Sequence, residues 1–435
     1  MLKVLNGAPI GDPTEKFTPR FLEQVPPAEL TKALTNIRKE AFDGGRVMLV
    51  QVEDALRDDS LSGVITGEGS ERYLSVFIAL DDKTWKIAGL RFAPTFGGQA
   101  SPADWNAFGG EAGKLKGGVS FGAYELVPRD MAKPKGALRL LPIYEFGEGK
   151  RLAIGSTFKL YVLGALAEEA AAGQLSWDAP LAIQDVYKSL PSGKMQDIAP
   201  GTEFSTSHFA TQMISISDNT ATDHLLHRVG RDKVEAYMSR LNGDPQRSFP
   251  FLTTFEMFTI KLSDDRTLAA RYGEADEATR RDMLRPEGEV GKARPNILLA
   301  QAWNTPTEIE RVEWFATAPE CCQAMADLRR LEQLPGMEPL GKALRTNPGM
   351  PFDENTWTSV AFKGGSEPGV LNTTWLLERD DGRWFALSVG WNDPKSTLDQ
   401  DRLLQLAASG VKLLEQEGRA NAAPPPPAPP GDDGT

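Results

Sequence analysis

Gly155-Ser156-Thr157-Phe158-Lys159-Leu160-Tyr161-Val162-Leu163-Gly164-Ala165-Leu166-Ala167-Glu168-Glu169 is the stretch on which the fold turns. It is nearly all apolar, and a helix without a polar face belongs inside a core. The pattern predicts one long helix from Ser156 to Ala172, closed by Gly173 in the position where helices commonly end on glycine. Positions i and i+3 of a helix share a face, with Cβ atoms about 5–6 Å apart, so the Lys159 amine can reach the Ser156 hydroxyl. A serine in the first turn also sits at the positive end of the helix dipole, which favours developing negative charge. A lysine acts as a base only when neutral, and burial among Phe158, Leu160, Tyr161, Val162 and Leu163 pushes its pKa that way. Ser156 and Lys159 are therefore candidates for nucleophile and general base. By itself this four-residue pattern is weak, because a helix cap followed by a solvated lysine reads the same way.

Two further elements give it weight. Ser217-Asp218-Asn219 falls between a helix running to Ser215, capped by Thr206 or Ser207, and a helix Asn219–Val229 ended by Gly230. A hydroxyl and a carboxamide at such a junction can point into a cleft. Lys363-Gly364-Gly365-Ser366 follows an apolar strand, Ser359–Phe362, and places a cation and backbone N–H groups at a sheet edge. Strands are also expected at Phe121–Val127, Leu138–Tyr144, Thr358–Lys363, Asn372–Glu378 and Trp384–Gly390, with an amphipathic helix over Leu398–Glu417. Strands from both ends with helices between them predict one α/β (α+β) unit built on a mainly antiparallel sheet.

In this order, S-x-x-K, S-D-N and K-G-G-S are similar to the motif set of active-site serine β-lactamases and penicillin-binding proteins. The longer strings GSTFKLYVLGALAEE and MISISDNTATDHLL also resemble the class A β-lactamase family, over roughly Gly118 to Gly418. The string VYKSLPSGKMQD, with the additional N-terminal region, resembles more closely the two-domain β-lactamase-like proteins of clavulanic-acid biosynthesis clusters. The resemblance implies a β-lactamase/transpeptidase-like fold, an antiparallel sheet with a helical lobe, preceded by a small NTF2/ketosteroid-isomerase-like domain. It implies that Ser156 is acylated, that Lys159 is its base, and that Ser217 relays a proton to the leaving group. Asn219 would tie the lobes together and contact substrate, and Lys363, with Gly364 and Gly365, would lie against the substrate carboxylate. The N–H groups of Ser156 and Ser366 would form the oxyanion hole, usually the largest single catalytic contribution.

Two departures shape the expected activity. Gly364 replaces the family's hydroxyl residue, removing one contact to a substrate carboxylate. The family's E-x-x-L-N element, whose Glu activates the deacylating water, is also missing. Leu-Asn occurs at Leu5, Leu241 and Leu371, but three residues earlier stand Leu2, Met238 and Pro368. Only 35 residues separate Ser217 from Thr253 in PFLTTFEMF, so the Ω-loop that bears this element looks truncated. The expectation is a serine hydrolase, esterase or β-lactamase-like, that forms an acyl-enzyme on carboxylic esters, including cephalosporin-type esters, or on β-lactam amides. Deacylation of β-lactams should be weak. The alternatives are a penicillin-binding or β-lactam-sensing protein that stays acylated, a D-Ala-D-Ala carboxypeptidase, and an inactive scaffold whose N-terminal domain binds a ligand.

Composition is compatible with this reading. With 40% hydrophobic and 25% charged residues the chain can bury a core, and 48 basic against 60 acidic residues give −12, which disfavours nucleic acid as a partner. A small-molecule substrate is expected, with no membrane span, no cofactor and no metal; oligomeric state is not readable. His224 and His227 lie at i, i+3, but no Cys or carboxylate cluster supports them as ligands. Cys321 and Cys322 are adjacent and form no disulfide framework. Gly118-Val119-Ser120-Phe121-Gly122 fits G-x-S-x-G, yet that nucleophile elbow needs a strand before it and a helix after it, whereas a strand-like run follows. The N-terminal stretch has one lysine and no apolar run of about 7–15 residues, so it does not read as a signal peptide, and the chain as written is expected to be cytoplasmic. A signal removed from a longer chain would place it in the periplasm.

The expected domains are a small α+β unit over 1–108 and a serine hydrolase domain over 109–418. The latter carries a charged helical insert at about 261–349, and a Pro-rich disordered tail occupies 419–435. The N-terminal unit is expected to have a helix Pro27–Lys39 and strands Val47–Val52, Tyr73–Leu80 and Trp85–Phe92.

Overall fold

In the computed structural model the described residues are 2–53, 60–68, 70, 72–81, 83–95, 102–133, 136–190, 192–350 and 352–419. The Pro-rich tail from 420 lies outside them.

The N-terminal unit contains helix α1 (Pro27–Asn36), continued by a π-turn over Ile37–Ala41. Its four-stranded antiparallel meander comprises β1 (Val47–Glu53), β2 (Ser60–Gly67), β3 (Tyr73–Leu80) and β4 (Ile87–Thr95), in that order. β2 was not expected, because SLSGVITG offers neither an apolar run nor clean alternation. β4 begins later than expected: Asp81 accepts from the N–H groups of Lys83 and Thr84 and holds a turn in which Trp85 takes φ 57°. An NTF2-like fold is not established by this arrangement.

Helix α2 (Trp105–Ala112) crosses the expected 108/109 boundary. Its Phe108 and Ala112 are buried with Phe121 and with Leu403, Leu406 and Ala407, so it packs into the core of the larger unit. That unit is built on a five-stranded antiparallel sheet. Its strands are β5 (Gly118–Pro128), β6 (Leu138–Phe146), β7 (Trp357–Glu367), β8 (Val370–Arg379) and β9 (Trp384–Asn392), ordered β7-β8-β9-β5-β6. The period-two alternation of a strand sorts the side chains. Leu376 and Ala386 join the core beneath the helical lobe, while Trp375, Leu377, Phe385 and Leu387 join the core beneath the C-terminal helix Gln400–Gln416.

The expected helix at Ser156 starts differently. Gly155–Phe158 is a 3₁₀ turn, followed by helix α3 (Lys159–Ala171). Every α3 residue from Lys159 to Ala167 is buried, as an all-apolar helix requires. Helices α4 (Thr206–Ser215) and α5 (Asn219–Val229) flank the Ser217 junction. The cap of α4 is Ser205, which accepts from His208 N; Thr206, expected there, instead donates its hydroxyl to the Ala179 carbonyl. Helix α6 (Thr254–Leu262) opens on a capping box between Thr253 and Glu256. The charged stretch beyond it forms a series of helices, of which α7 (Ala318–Glu332) buries Cys321 and Cys322 in the main core. The G-x-S-x-G segment runs into β5 with Ser120 buried, and no helix follows it directly.

Candidate active site

A cleft of about 780 Å³ is lined by Ser156, Ser217, Asn219, Lys363, Gly364, Gly365 and Ser366. These residues come from three distant parts of the chain, and Lys159 lies buried behind Ser217 and Asn219.

The turn before α3 and strand β7 touch through their backbones. A Cβ placed on Gly155, where φ is 46°, would lie 2.9 Å from Ser366 N, and one on Gly365 would lie 2.1 Å from the Ile154 carbonyl oxygen and 2.5 Å from Ser156 N. Only glycine permits this crossing. It brings the amides of Ser156 and Ser366 to one place.

Lys159 is fully buried, and its Nζ lies 2.7 Å from the Ser217 carbonyl oxygen, 2.7 Å from Asn219 Oδ1 and 3.0 Å from Ser217 Oγ. These contacts go to Ser217 and Asn219, not to the Ser156 hydroxyl that helical spacing alone suggested. Lys363 Nζ also lies 3.0 Å from Ser217 Oγ, so this hydroxyl bridges two lysines. Burial, and then the Lys363 charge, push the Lys159 pKa well below the ordinary lysine value. Burial brings Lys363 down to about 7. A neutral Lys159 amine has two N–H donors and one lone pair. The donors serve the Ser217 carbonyl and Asn219 Oδ1, and the lone pair accepts from Ser217 O–H. Ser217 Oγ then accepts from Lys363, so every contact has both a donor and an acceptor.

Local structure holds this chain in place. Ser217 takes φ 57°, a left-handed conformation that is costly for serine and that aims its hydroxyl between the lysines. Asp218 caps α5 by accepting from Ala221 N and also accepts from Lys194 N and Met195 N, which makes it a structural clamp. Asn219 Nδ2 donates to the Leu190 carbonyl and pins the loop before Ser192 to the same helix.

Only 12 residues, 242–253, connect the helix Arg231–Leu241 to α6, and they include no glutamate. The charged insert fills the adjoining space. Trp314 stacks on Phe158 at 3.7 Å between ring centroids, and its indole N–H donates to the Leu252 carbonyl at 3.2 Å. Ile297, Ala300, Gln301, Trp303, Glu313 and Trp314 all line the cleft, so part of the insert forms its wall. Glu313 and Glu367 were not expected at the site. Glu367 directly follows the Lys363–Ser366 motif, and two-residue alternation puts Lys363, Gly365 and Glu367 on one face, so this signal was present. Glu313 and its partner Lys261 have no comparable signal.

The histidines are accounted for structurally. His224 Nε2 accepts from Gln184 N, its Nδ1 lies 2.7 Å from the Thr220 carbonyl oxygen, and His227 stacks on Tyr187. Among the described residues no group of three or more His, Cys, Asp or Glu is placed to hold a metal ion, and no helix is long and apolar enough to cross a membrane.

Residues 144–285, which carry Ser156, Lys159 and the Ser217 triplet, match the family model described as the beta-lactamase enzyme family. This segment is similar to the β-lactamase enzyme family, over about a third of the chain. The antiparallel sheet with its helical lobe resembles the β-lactamase/transpeptidase-like fold. Similar solved structures include a β-lactamase from Sphaerobacter thermophilus, at 18% identity and TM-score 0.47 over 72% of this chain and 97% of that one. A β-lactamase from Francisella tularensis has 14% identity and TM-score 0.45 over 71% and 96%. The protein PBP-A has 13% identity and TM-score 0.43 over 72% and 96%. No curated protein matches the chain.

Proposed function

We propose that this β-lactamase-like protein is a serine hydrolase that acylates on Ser156 and turns over carboxylic esters, including cephalosporin-type esters, more readily than β-lactam amides. The observation that carries the reading is the contact chain Lys159–Ser217–Lys363 beside Ser156 in one cleft. As Oγ attacks the carbonyl carbon, the Ser217 O–H turns away from the Lys159 lone pair, which takes the Ser156 proton; Ser217 passes its own proton to the leaving group and recovers one from Lys159. The Ser156 and Ser366 amides receive the oxyanion, and charged Lys363 attracts a substrate carboxylate. Ester selectivity follows from the short 242–253 connection. Without a glutamate there, a bulky β-lactam acyl group is expected to shield its carbonyl from water longer than a small ester acyl group does.

Intact-mass measurement over time with benzylpenicillin, beside hydrolysis of p-nitrophenyl acetate, tests this. One penicilloyl group is expected to attach and persist for minutes while the ester turns over. Rapid penicillin turnover without a lasting adduct would remove the ester preference. A persistent adduct without ester turnover would favour the penicillin-binding alternative, for which the short connection also speaks.

Lys363 makes binding dependent on pH. Its folded pKa is about 7, and its charged form attracts the carboxylate, so affinity for a carboxylate-bearing substrate is strongest below pH 7. Above that point affinity should fall about tenfold per pH unit, until the pH passes the pKa of the bound state. An inhibition series with benzylpenicillin from pH 6 to 9, read as the initial binding constant, checks it; a flat profile would show that Lys363 does not contact the carboxylate.

A further inference from the structure

Lys261, Glu313 and Glu367 form a buried cluster in the cleft wall that the acylation chemistry does not use. Lys261 Nζ lies 3.1 Å from Glu313 Oε1 and 2.5 Å from Glu367 Oε1, with the three side chains 0%, 0% and 4% exposed. Both glutamates line the cleft that holds Ser156. Each is tied to the backbone around that serine. Glu367 stands two residues past Gly365, which packs on Ser156 N, and Trp314, next to Glu313, accepts through its carbonyl from Ile154 N at 3.0 Å.

The charges in this cluster do not balance as two carboxylates and one ammonium. Glu367 Oε2 is buried with no donor in reach. Burial, followed by the Glu313 charge and opposed by Lys261, raises the Glu367 pKa well above the ordinary carboxyl value. A proton on Glu367, shared with the neighbouring Glu313, satisfies the charge count. A carboxylate offers about four lone-pair sites. On Glu313 one takes Lys261, one takes the Trp314 N–H at 3.2 Å, and one takes the Glu367 proton. One site remains without a protein donor.

We propose that Glu313, held by Lys261 and Glu367, is the general base that activates the deacylating water at the Ser156 acyl-enzyme, in place of the Ω-loop glutamate this chain lacks. The proposal rests on acylation at Ser156. As the water oxygen bonds to the acyl carbon, one of its protons passes to the Glu313 carboxylate. The carbon–Oγ bond then breaks, and that proton is returned to Ser156 Oγ. The other water proton leaves with the carboxylic acid product, and the starting state of the pair is restored.

The test forms the adduct with benzylpenicillin, removes free drug, and follows intact mass for wild type, Glu313→Gln and Glu367→Gln. Adduct formation is expected at the wild-type rate in all three. Release should slow by about 100-fold or more in Glu313→Gln, the scale of a lost general base. Glu367→Gln still offers an amide donor to Glu313 and should slow release far less. Hydroxylamine, which needs no base, should free the adduct equally fast from all three; a distorted ester would not show this. If Glu313→Gln does not fold, Glu313→Asp keeps the ion pair but withdraws the base by one methylene, and again only release should slow. Release from Glu313→Gln at the wild-type rate overturns the proposal. So does equal slowing in both Gln variants, the mark of a merely structural cluster. Absence of any adduct on wild type would overturn acylation at Ser156 itself, and is recognised because wild type then matches Ser156→Ala before Glu313 is tested.

Discussion

Ser156→Ala is expected to take up no penicilloyl group at any time and to lose ester hydrolysis by on the order of 10⁴-fold or more, the scale of losing a nucleophile that works as part of a unit. The reason lies in the geometry of the turn. Gly155 and Gly365 let strand β7 approach so closely that the amides of Ser156 and Ser366 reach the same point. Those amides stabilise an oxyanion only if attack comes from the Ser156 oxygen. An alanine leaves the oxyanion hole intact but supplies no attacking atom. Mass spectrometry of both proteins, with circular dichroism to verify the fold, decides the matter. An adduct that survives in Ser156→Ala would point to Ser217, the other hydroxyl in the cleft, as the nucleophile.

Lys159→Met should lower the acylation rate by about 10²–10⁴-fold, the range for loss of a positioned base. Methionine has similar length and fits a buried site, so the packing of α3 is largely kept. The same variant carries a signature in stability. The folded-state pKa of Lys159 is depressed, so folding releases its proton whenever the pH lies between that pKa and the ordinary value of 10.5. In this window the unfolded chain binds more protons, and wild-type stability rises with pH. Methionine has no proton to release, so the rise should be shallower in Lys159→Met, with only the Lys363 contribution left from this pair. Urea unfolding at several pH values between 7 and 10 reads the slope. An unchanged slope would mean that Lys159 is charged in the folded protein, and that another group takes the Ser156 proton.

The parts of this protein that could be read from sequence are those whose signal is local. The limits of α5, Asn219 to Val229 with Gly230 after it, are marked by an Asx cap and a glycine. The apolar runs of β5, β8 and β9 mark sheet strands covered on both faces, and the spacing of Ser156 and Lys159 marks one turn. β2 escaped because glycine and serine conceal its alternation. The 3₁₀ form of the turn at Ser156 escaped because the same residues suit an α-helix until β7 packs against Gly155.

The sequence by itself thus determined the sheet-and-helix class and named Ser156, Lys159, Ser217, Asn219 and Lys363 as the candidate site residues, because motif residues are named by spacing along the chain. Only the tertiary structure decided where Lys159 directs its amine and that its pKa is pushed down, since that depends on burial and on the Lys363 charge across the cleft. The meeting of Lys261 with Glu313 and Glu367, 52 and 106 residues away, is likewise a product of the fold. No periodicity reaches over such separations; the desolvated wall of the cleft brings the three together and makes their charges depend on one another.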